Sequence, residues 1–189
     1  MTELEQYIQS YFAVDDNKLA DIAASFQFQK VNKGDFLLKQ GRVCGQLSFI
    51  STGLVRIYTV IDDKEVTQWI STQGYFVTDL ASFIFNTPAR WQIQALTDCT
   101  LYSITKEDYN NIGNTIPEWH QLEKLFIAKC FVLLEDRVSR HLYMSSEERY
   151  QFLLDQQPNL FNEVPLQYLA SMLGMTPETL SRLRKKHLS

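Results

Sequence analysis

The middle of the chain, residues 31–105, consists of short apolar segments separated by turn residues. The segments are rich in aromatic and β-branched side chains: DFLLKQG, QLSFISTGLVRIYTV, EVTQWIST and RWQIQAL. Turn residues stand between them at near-regular spacing: Lys33-Gly34, Gly41, Thr52-Gly53, Asp62-Asp63 and Gln73-Gly74. Many short strands with such punctuation are typical of a sandwich or barrel. The sequence therefore predicts a closed β-structure here, interrupted by one short helical turn over residues 80–86.

Helical periodicity replaces this pattern on both sides, over residues 2–30 and from Lys106 onward. The longest helical candidate is segment 117–144, with Pro117 suited to its first turn. Its apolar positions include Trp119, Leu122, Phe126, Leu133 and Val138. They cover too much of the helix for a single buried face. Two interpretations follow: a helix buried within its own domain, or a helix that also packs against a second copy of the chain.

Positive charge is concentrated at the end of the chain. The formal net charge of the 189 residues is -4. Residues 176–189 nevertheless hold Arg182, Arg184, Lys185 and Lys186 against the single acid Glu178. A basic end on an acidic body predicts a local surface for a polyanion.

The closing segment LASMLGMTPETLSRLRKKHLS, residues 169–189, fits two short helices joined at Gly174. The glycine supplies the sharp turn. Thr176 is placed to cap the second helix and Pro177 to begin it. Two such helices, the second amphipathic and basic, form a helix-turn-helix, whose second helix enters the DNA major groove by its N-terminal end. A plain helical hairpin with a solvated basic face is the other interpretation of this segment.

The polar face of the second helix carries side chains suited to DNA. The guanidinium of Arg182 can pair with guanine O6 and N7, and the Glu178 carboxylate can accept from cytosine N4. Ser181 lies on the same face, and neighbouring hydroxyls and cations are placed for phosphates, which give affinity without sequence reading. The predicted DNA-binding residues are Thr176, Pro177, Glu178, Thr179, Ser181, Arg182, Lys185 and Lys186, with Arg184 as a further phosphate contact.

Taken together, these segments resemble the Crp/Fnr transcription regulators. KGDFLLKQG (33–41), LSFISTGLVRIY (47–58) and QGYFVTDL (73–80) are similar to the glycine-punctuated strands of that family, and ETLSR (178–182) resembles the recognition helix of its Fnr-like branch. The resemblance implies an α+β fold in three parts. These are a jelly-roll-like, cyclic-nucleotide-binding β-roll with N-terminal helices (1–116), a long dimerisation helix (117–144) and a helical helix-turn-helix domain (145–189) expected to lack a wing.

The predicted effector pocket differs from that of family members that bind cyclic AMP. Those members carry a Gly-Glu pair that holds the ribose and an Arg-Ser/Thr-Ala run that holds the phosphate. The corresponding residues here are Thr78-Asp79 and Ala89-Arg90-Trp91. Asp79 is one methylene shorter than glutamate, and Arg90 is displaced by one position, which in a strand reverses the face of a side chain. A shift of the loop before Pro88 could return the Arg90 side chain to the pocket.

We therefore expect no high-affinity cyclic AMP binding in the candidate effector pocket. Its predicted residues are Thr78, Asp79, Leu80, Arg90 and Trp91.

Other chemistry has few residues to support it. Cys44, Cys99 and Cys130 are odd in number and far apart, which predicts free thiols in a reducing compartment. An Fnr-type iron–sulfur cluster needs an N-terminal cysteine group, whereas the first cysteine in this sequence is Cys44 and no other cysteine is near it. The three histidines lie outside the predicted strands, and no nucleophilic triad or phosphate-loop motif occurs. We expect no enzyme activity, no catalytic residue, no metal and no cofactor.

The resemblance implies double-stranded DNA and a second copy of the chain as partners, and it allows RNA polymerase and a small-molecule effector. The sequence shows neither a signal peptide nor a membrane span, so a cytoplasmic protein is expected. The alternative is a ligand-sensing β-roll protein that acts through a protein partner rather than DNA. Steep salt dependence would distinguish DNA binding from that alternative.

Overall fold

The computed structural model describes residues 1–12 and 16–188. The described chain is α+β, with an antiparallel β-domain followed by a long helix and C-terminal helices, which confirms the predicted fold class. It divides into two compact units. The first comprises Met1–Ile57 and Ser71–Phe131, and the second Tyr58–Ile70 and Val132–Ser189. The predicted boundaries after residues 116 and 144 stay a prediction.

Two helices, α1 (Glu3–Phe12) and α2 (Asp16–Ala24), precede the strands. The strands are β1 (Gln27–Val31), β2 (Phe36–Leu38), β3 (Gln46–Thr52), β4 (Val55–Ile61), β5 (Lys64–Ser71), β6 (Phe76–Val77), β7 (Gln92–Ala95) and β8 (Cys99–Thr105). Helix α3 (Leu80–Phe85) lies between β6 and β7, where the sequence predicts one helical turn, and α4 (Lys106–Thr115) follows β8.

The strands form two four-stranded sheets, with the orders β1-β8-β3-β6 and β2-β7-β4-β5. In the first sheet β3 and β8 pair antiparallel, with Ser48 opposite Ser103 and Ile50 opposite Leu101. Ile50 and Leu101 are fully buried in the core. The two serine hydroxyls, also buried, hydrogen-bond each other at 2.8 Å, so their polarity is satisfied inside the sheet.

The turn residues behave as predicted. Gly53, between β3 and β4, has φ +95°, a region that side chains with a Cβ rarely adopt. A Cβ at Gly53 would lie 2.6 Å from Cys99 Sγ and 2.7 Å from the Asp98 carbonyl oxygen. This turn requires glycine for both conformation and space. Asp62 and Asp63, between β4 and β5, also have positive φ, as the hairpin turn between two strands demands.

The prediction of helix up to residue 30 is wrong at its end, because residues 27–31 form β1. The predicted strand segments also leave out residues 99–105, which form β8. The two strands pair with each other along their length, and the exposed Phe28 ring packs edge-on against Tyr102 at 5.7 Å. A partner strand 68 to 76 residues away along the chain decides the conformation of β1, and local periodicity does not report such a partner.

Aromatic packing joins α1 to the first half of the long helix, α5 (Trp119–Tyr143). Leu4, Ile8 and Phe12 recur every fourth residue on α1 and are buried. The Phe12 ring stacks on Phe126 at 4.6 Å and on Trp119 at 5.3 Å. Such pairs add to the free energy gained from burial alone. The beginning of α5 is therefore part of the core of the first unit.

The second unit contains the end of α5 and four further helices: α6 (Ser146–Gln156), α7 (Leu160–Glu163), α8 (Leu166–Met172) and α9 (Pro177–Leu188). The predicted helix 117–144 is observed from Trp119 to Tyr143, so Pro117 lies before the helix and not in its first turn. Helix α6 begins with a capping box, in which Ser145 and Glu148 satisfy each other's backbone N–H groups. Within the described part of the chain, no helix is long and apolar enough to cross a membrane.

Candidate nucleic-acid interface

Helices α8 and α9 meet at a tight turn around Gly174. The glycine has φ +65°, the Met175 N–H donates to the Ala170 carbonyl at 3.0 Å, and the Gly174 N–H donates to the Ser171 carbonyl at 3.1 Å. These bonds satisfy the carbonyls at the end of α8. Leu169 and Ala170 of α8 and Leu180 of α9 are fully buried. The apolar stripe of α9 thus holds it against α8, as the sequence predicts.

Thr176 caps α9. Its hydroxyl oxygen accepts from the Thr179 N–H at 3.2 Å, and its O–H donates to the Thr179 hydroxyl at the same distance. Pro177 is the first residue of the helix, where its missing N–H costs nothing. Both threonine hydroxyls are therefore engaged in fixing the start of α9.

Six residues of α8 and α9 line an open groove of about 520 Å³. They are Leu166, Pro177, Glu178, Ser181, Arg182 and Lys185. The structure thus brings five of the predicted DNA-binding residues to one surface. Thr176, Thr179 and Lys186 are outside the lining, and Leu166, which is not among the predicted DNA-binding residues, is inside it.

The electrostatics of the groove follow from its position at a helix start. A hydrogen bond from its own backbone N–H, together with the neighbouring Thr176 side chain, holds the pKa of Glu178 below its usual range. Glu178 is therefore an ionised acceptor at the N-terminal end of α9, where the helix dipole favours a negative charge. Arg182 and Lys185 are exposed on the same surface. The groove offers one fixed acceptor beside two cationic donors.

Lys186 is directed to a different partner. Its ammonium lies 2.7 Å from the Glu147 carboxylate on α6, and His187 lies 3.5 Å from the same carboxylate. The hydrogen bond from Lys186 lowers the pKa of Glu147. This contact holds the C-terminal end of α9 against α6, and the residues that form it are 39 positions apart in sequence, so periodicity could not indicate it.

Arg149 on α6 links the start of its own helix to the turn at Gly174. Its Nε donates to the Leu173 carbonyl at 2.8 Å and its Nη1 to the Met144 carbonyl at 2.7 Å. A planar guanidinium can hold two carbonyls in fixed directions. This role is not predictable from the sequence, because nothing in the local pattern distinguishes Arg149 from an exposed helical arginine.

The candidate effector pocket is organised around Asp79. This side chain is only 3% exposed and caps α3, accepting from the Ser82 N–H at 3.0 Å. Its second oxygen accepts from the N–H groups of Arg90 and Trp91, at 2.9 and 3.3 Å. The carboxylate therefore joins the two segments that the sequence predicts to form the pocket, and its acceptor capacity is used by the backbone.

The remaining pocket residues lie around this link. The Thr78 hydroxyl donates to the Gln46 carbonyl at 3.0 Å and lies 3.2 Å from Cys44 Sγ. Leu80 opens α3 and is half-buried, as is Trp91, whereas Arg90 is exposed. The structure brings Asp79, Arg90 and Trp91 together through backbone N–H groups rather than through the arginine side chain.

The cysteines are free thiols, as predicted. Burial raises the pKa of Cys130 to about 11 and also raises that of Cys99, so both stay protonated at neutral pH. Among the described residues, no group of histidine, cysteine and carboxylate side chains is placed to hold a metal.

Residues 28–115 match the cyclic nucleotide-binding domain. This segment contains β1 to β8 apart from the first residue of β1, and the candidate effector pocket. No curated protein matches the chain.

Solved structures are similar over most of the chain. FixK2 from Bradyrhizobium japonicum has a TM-score of 0.71 and 16% identity, covering 85% of this chain and 83% of that chain. The c-di-GMP responsive global regulator CLP of Xanthomonas campestris has a TM-score of 0.67 and 20% identity over 92% of both. Thermus thermophilus catabolite activator protein has a TM-score of 0.59 and 18% identity, over 95% and 85%. The chain shares the fold of these proteins.

Proposed function

We propose that the protein is a sequence-specific DNA-binding transcription regulator of the Crp/Fnr type. The observation that carries the proposal is the groove along α8 and α9. Its lining places Glu178, Ser181 and Arg182, which can read bases, beside Lys185, which can bind a phosphate. The apolar residues of the same helix are buried beneath it, so the polar stripe is the face that a ligand meets.

The long helix supports a dimer. Phe131, Val138 and Leu142 recur on α5 at spacings of seven and four, and all three are more than half or about half exposed. Such a stripe is typical of the seam of a coiled-coil pair. A dimer about a two-fold axis would carry two copies of α9, which read half-sites one helical turn, roughly 34–36 Å, apart on DNA. The preferred DNA would then be a near-palindrome.

Cyclic AMP is not the effector in this proposal. The Asp79 carboxylate already accepts three backbone hydrogen bonds, and Arg90 is exposed. A nucleotide would have to displace these bonds before its ribose found an acceptor, at a cost typical of buried groups left unsatisfied. Calorimetric titration should show no isotherm of micromolar or tighter affinity for cyclic AMP. An isotherm in that range would contradict this part of the proposal.

Selection of bound fragments from random double-stranded DNA tests the function itself. We expect enrichment of a near-palindromic site, whose affinity falls steeply between about 50 and 200 mM salt because bound cations release counterions. A scrambled duplex of equal length is the matched control. If selection enriches no sequence, or if the affinity is independent of salt, the alternative of a regulator that binds a protein partner through α8 and α9 takes its place.

A further inference from the structure

A small cavity of about 40 Å³ lies in the second unit, between β5, the end of α5, α6 and α8. It has no part in the groove along α9. Apolar side chains such as Phe152 and Met172 form much of its wall, and Trp69 is the residue that β5 contributes. A space of this size has room for a few water molecules or one small ion.

The charge around the cavity is one-sided. Arg137, Arg140, His141 and Arg149 line it, and no aspartate or glutamate does so among the residues that the structure describes. Buried or half-buried positive charges are ordinarily compensated by an anion or by hydrogen bonds. Arg149 obtains such compensation from the carbonyls of Leu173 and Met144.

Arg140 does not have the same compensation. Its guanidinium lies 4.6 Å from the centre of the Phe152 ring, and within residues 1–12 and 16–188 it has no hydrogen bond or ion pair. The side chain is half-buried, and its contact with the aromatic ring restricts where the guanidinium can lie. The N–H donors of this group therefore lie at the cavity with no acceptor among the described residues.

Trp69 provides a second donor in the same state. Its indole Nε1 is buried and has no hydrogen-bond partner in the described structure. The ring is held in place by Arg137, whose guanidinium lies 3.6 Å from its centre. A buried N–H without an acceptor costs about 1–3 kcal/mol, so an acceptor within the cavity would restore that free energy.

We propose that this cavity binds a small oxyanion, of the phosphate or carboxylate class, through the Arg140 guanidinium and the Trp69 indole N–H. An oxyanion presents several acceptor oxygens at once, which is what a guanidinium and an indole N–H require. The positive charge of Arg149, which also lines the cavity, favours the same occupant. This site is separate from the groove along α9, and the inference does not depend on DNA binding.

Calorimetric titration of the whole chain with inorganic phosphate, and separately with acetate, tests the site at constant ionic strength. We expect wild type to bind one of the two anions with a stoichiometry of one per chain. Arg140→Gln and Trp69→Phe should each weaken that binding by about ten- to a hundredfold, because each removes a donor to a charged acceptor. The anion with the tighter isotherm identifies the class of ligand.

Arg42→Gln is the matched control, since it removes an exposed arginine from the first unit and should leave the isotherm unchanged. Circular dichroism establishes that each variant is folded. The proposal is overturned if wild type binds neither anion up to about 50 mM, which would leave water as the occupant. It is also overturned if phosphate raises the melting temperature of wild type and of Arg140→Gln equally. Excluded kosmotropic ions stabilise any folded protein, so equal stabilisation would not require a binding site. The wild-type titration decides the question even if a variant fails to fold.

Discussion

Recognition of the DNA sequence should depend on Arg182 more than on any other residue. It is exposed in the groove, one turn along the helix from the ionised Glu178. Replacing it with alanine removes a bidentate donor without disturbing the buried stripe. We expect Arg182→Ala to weaken binding to the selected DNA by about 1–3 kcal/mol and to relax the preference at one base position. Fluorescence anisotropy with single-base variants of the site measures both effects.

Lys185 provides the comparison for that experiment. Lys185→Ala should weaken binding to all sequences alike and reduce the slope of affinity against salt by about one. If Arg182→Ala behaves like Lys185→Ala, or binds as tightly as wild type, then Arg182 does not read a base.

Asp79 should be important for stability. Its buried carboxylate accepts from three backbone N–H groups. We expect Asp79→Ala to lower the free energy of unfolding by about 3 kcal/mol, because it leaves a helix start uncapped and buried N–H groups without an acceptor. Urea denaturation measures the change. Asp21→Ala on the exposed side of α2 is the control and should have little effect; equal losses in the two variants would show that the Asp79 hydrogen bonds contribute little.

At the scale of elements, the turn between β3 and β4 allows a sharp comparison of two glycines. Gly53→Ala should lower the free energy of unfolding by about 2–4 kcal/mol, because alanine is strained at φ +95° and its Cβ would overlap the Asp98 carbonyl. Gly45→Ala has nothing within 4 Å of the new Cβ and should leave stability unchanged or raise it by up to about 1 kcal/mol. Thermal denaturation of the pair distinguishes a required glycine from a replaceable one.

Elements with local signals could be predicted from the sequence. Three kinds of feature depend on residues within a few positions of each other. They are the turns at Gly53 and Gly174, the cap at Thr176, and the division of α9 into an exposed polar face and a buried apolar face. Strand β1 could not, since its pairing with β8 is long-range.

The same distinction applies to the candidate sites. The sequence predicts which residues belong to the candidate effector pocket. It does not predict the role of Asp79, because that role depends on backbone N–H groups eleven and twelve residues away along the chain. The partner of Lys186 lies on another helix. Amphipathic faces indicate what a helix exposes, and they do not indicate which exposed charge will be neutralised by a neighbour.

At the scale of the whole molecule, the exposed stripe of α5 predicts the oligomeric state. Val138→Glu would place a carboxylate in the seam of a dimer, where burial without a partner costs about 3 kcal/mol or more, roughly a hundredfold in dissociation constant. We expect sedimentation velocity to show a dimer for wild type and a monomer for this variant at micromolar concentration. Asn110→Glu adds the same charge at an exposed position of α4 and should remain dimeric. A monomeric wild type, or a dimeric Val138→Glu, would contradict this arrangement.

Arg149 has a mechanical consequence. One planar group bonds to the carbonyl of Met144, directly after α5, and to that of Leu173, at the end of α8. The two carbonyls cannot move apart without breaking a charge-assisted bond. Arg149 therefore acts as a crosslink between the end of α5 and the end of α8, and any displacement that separates the two ends must first break one of these bonds.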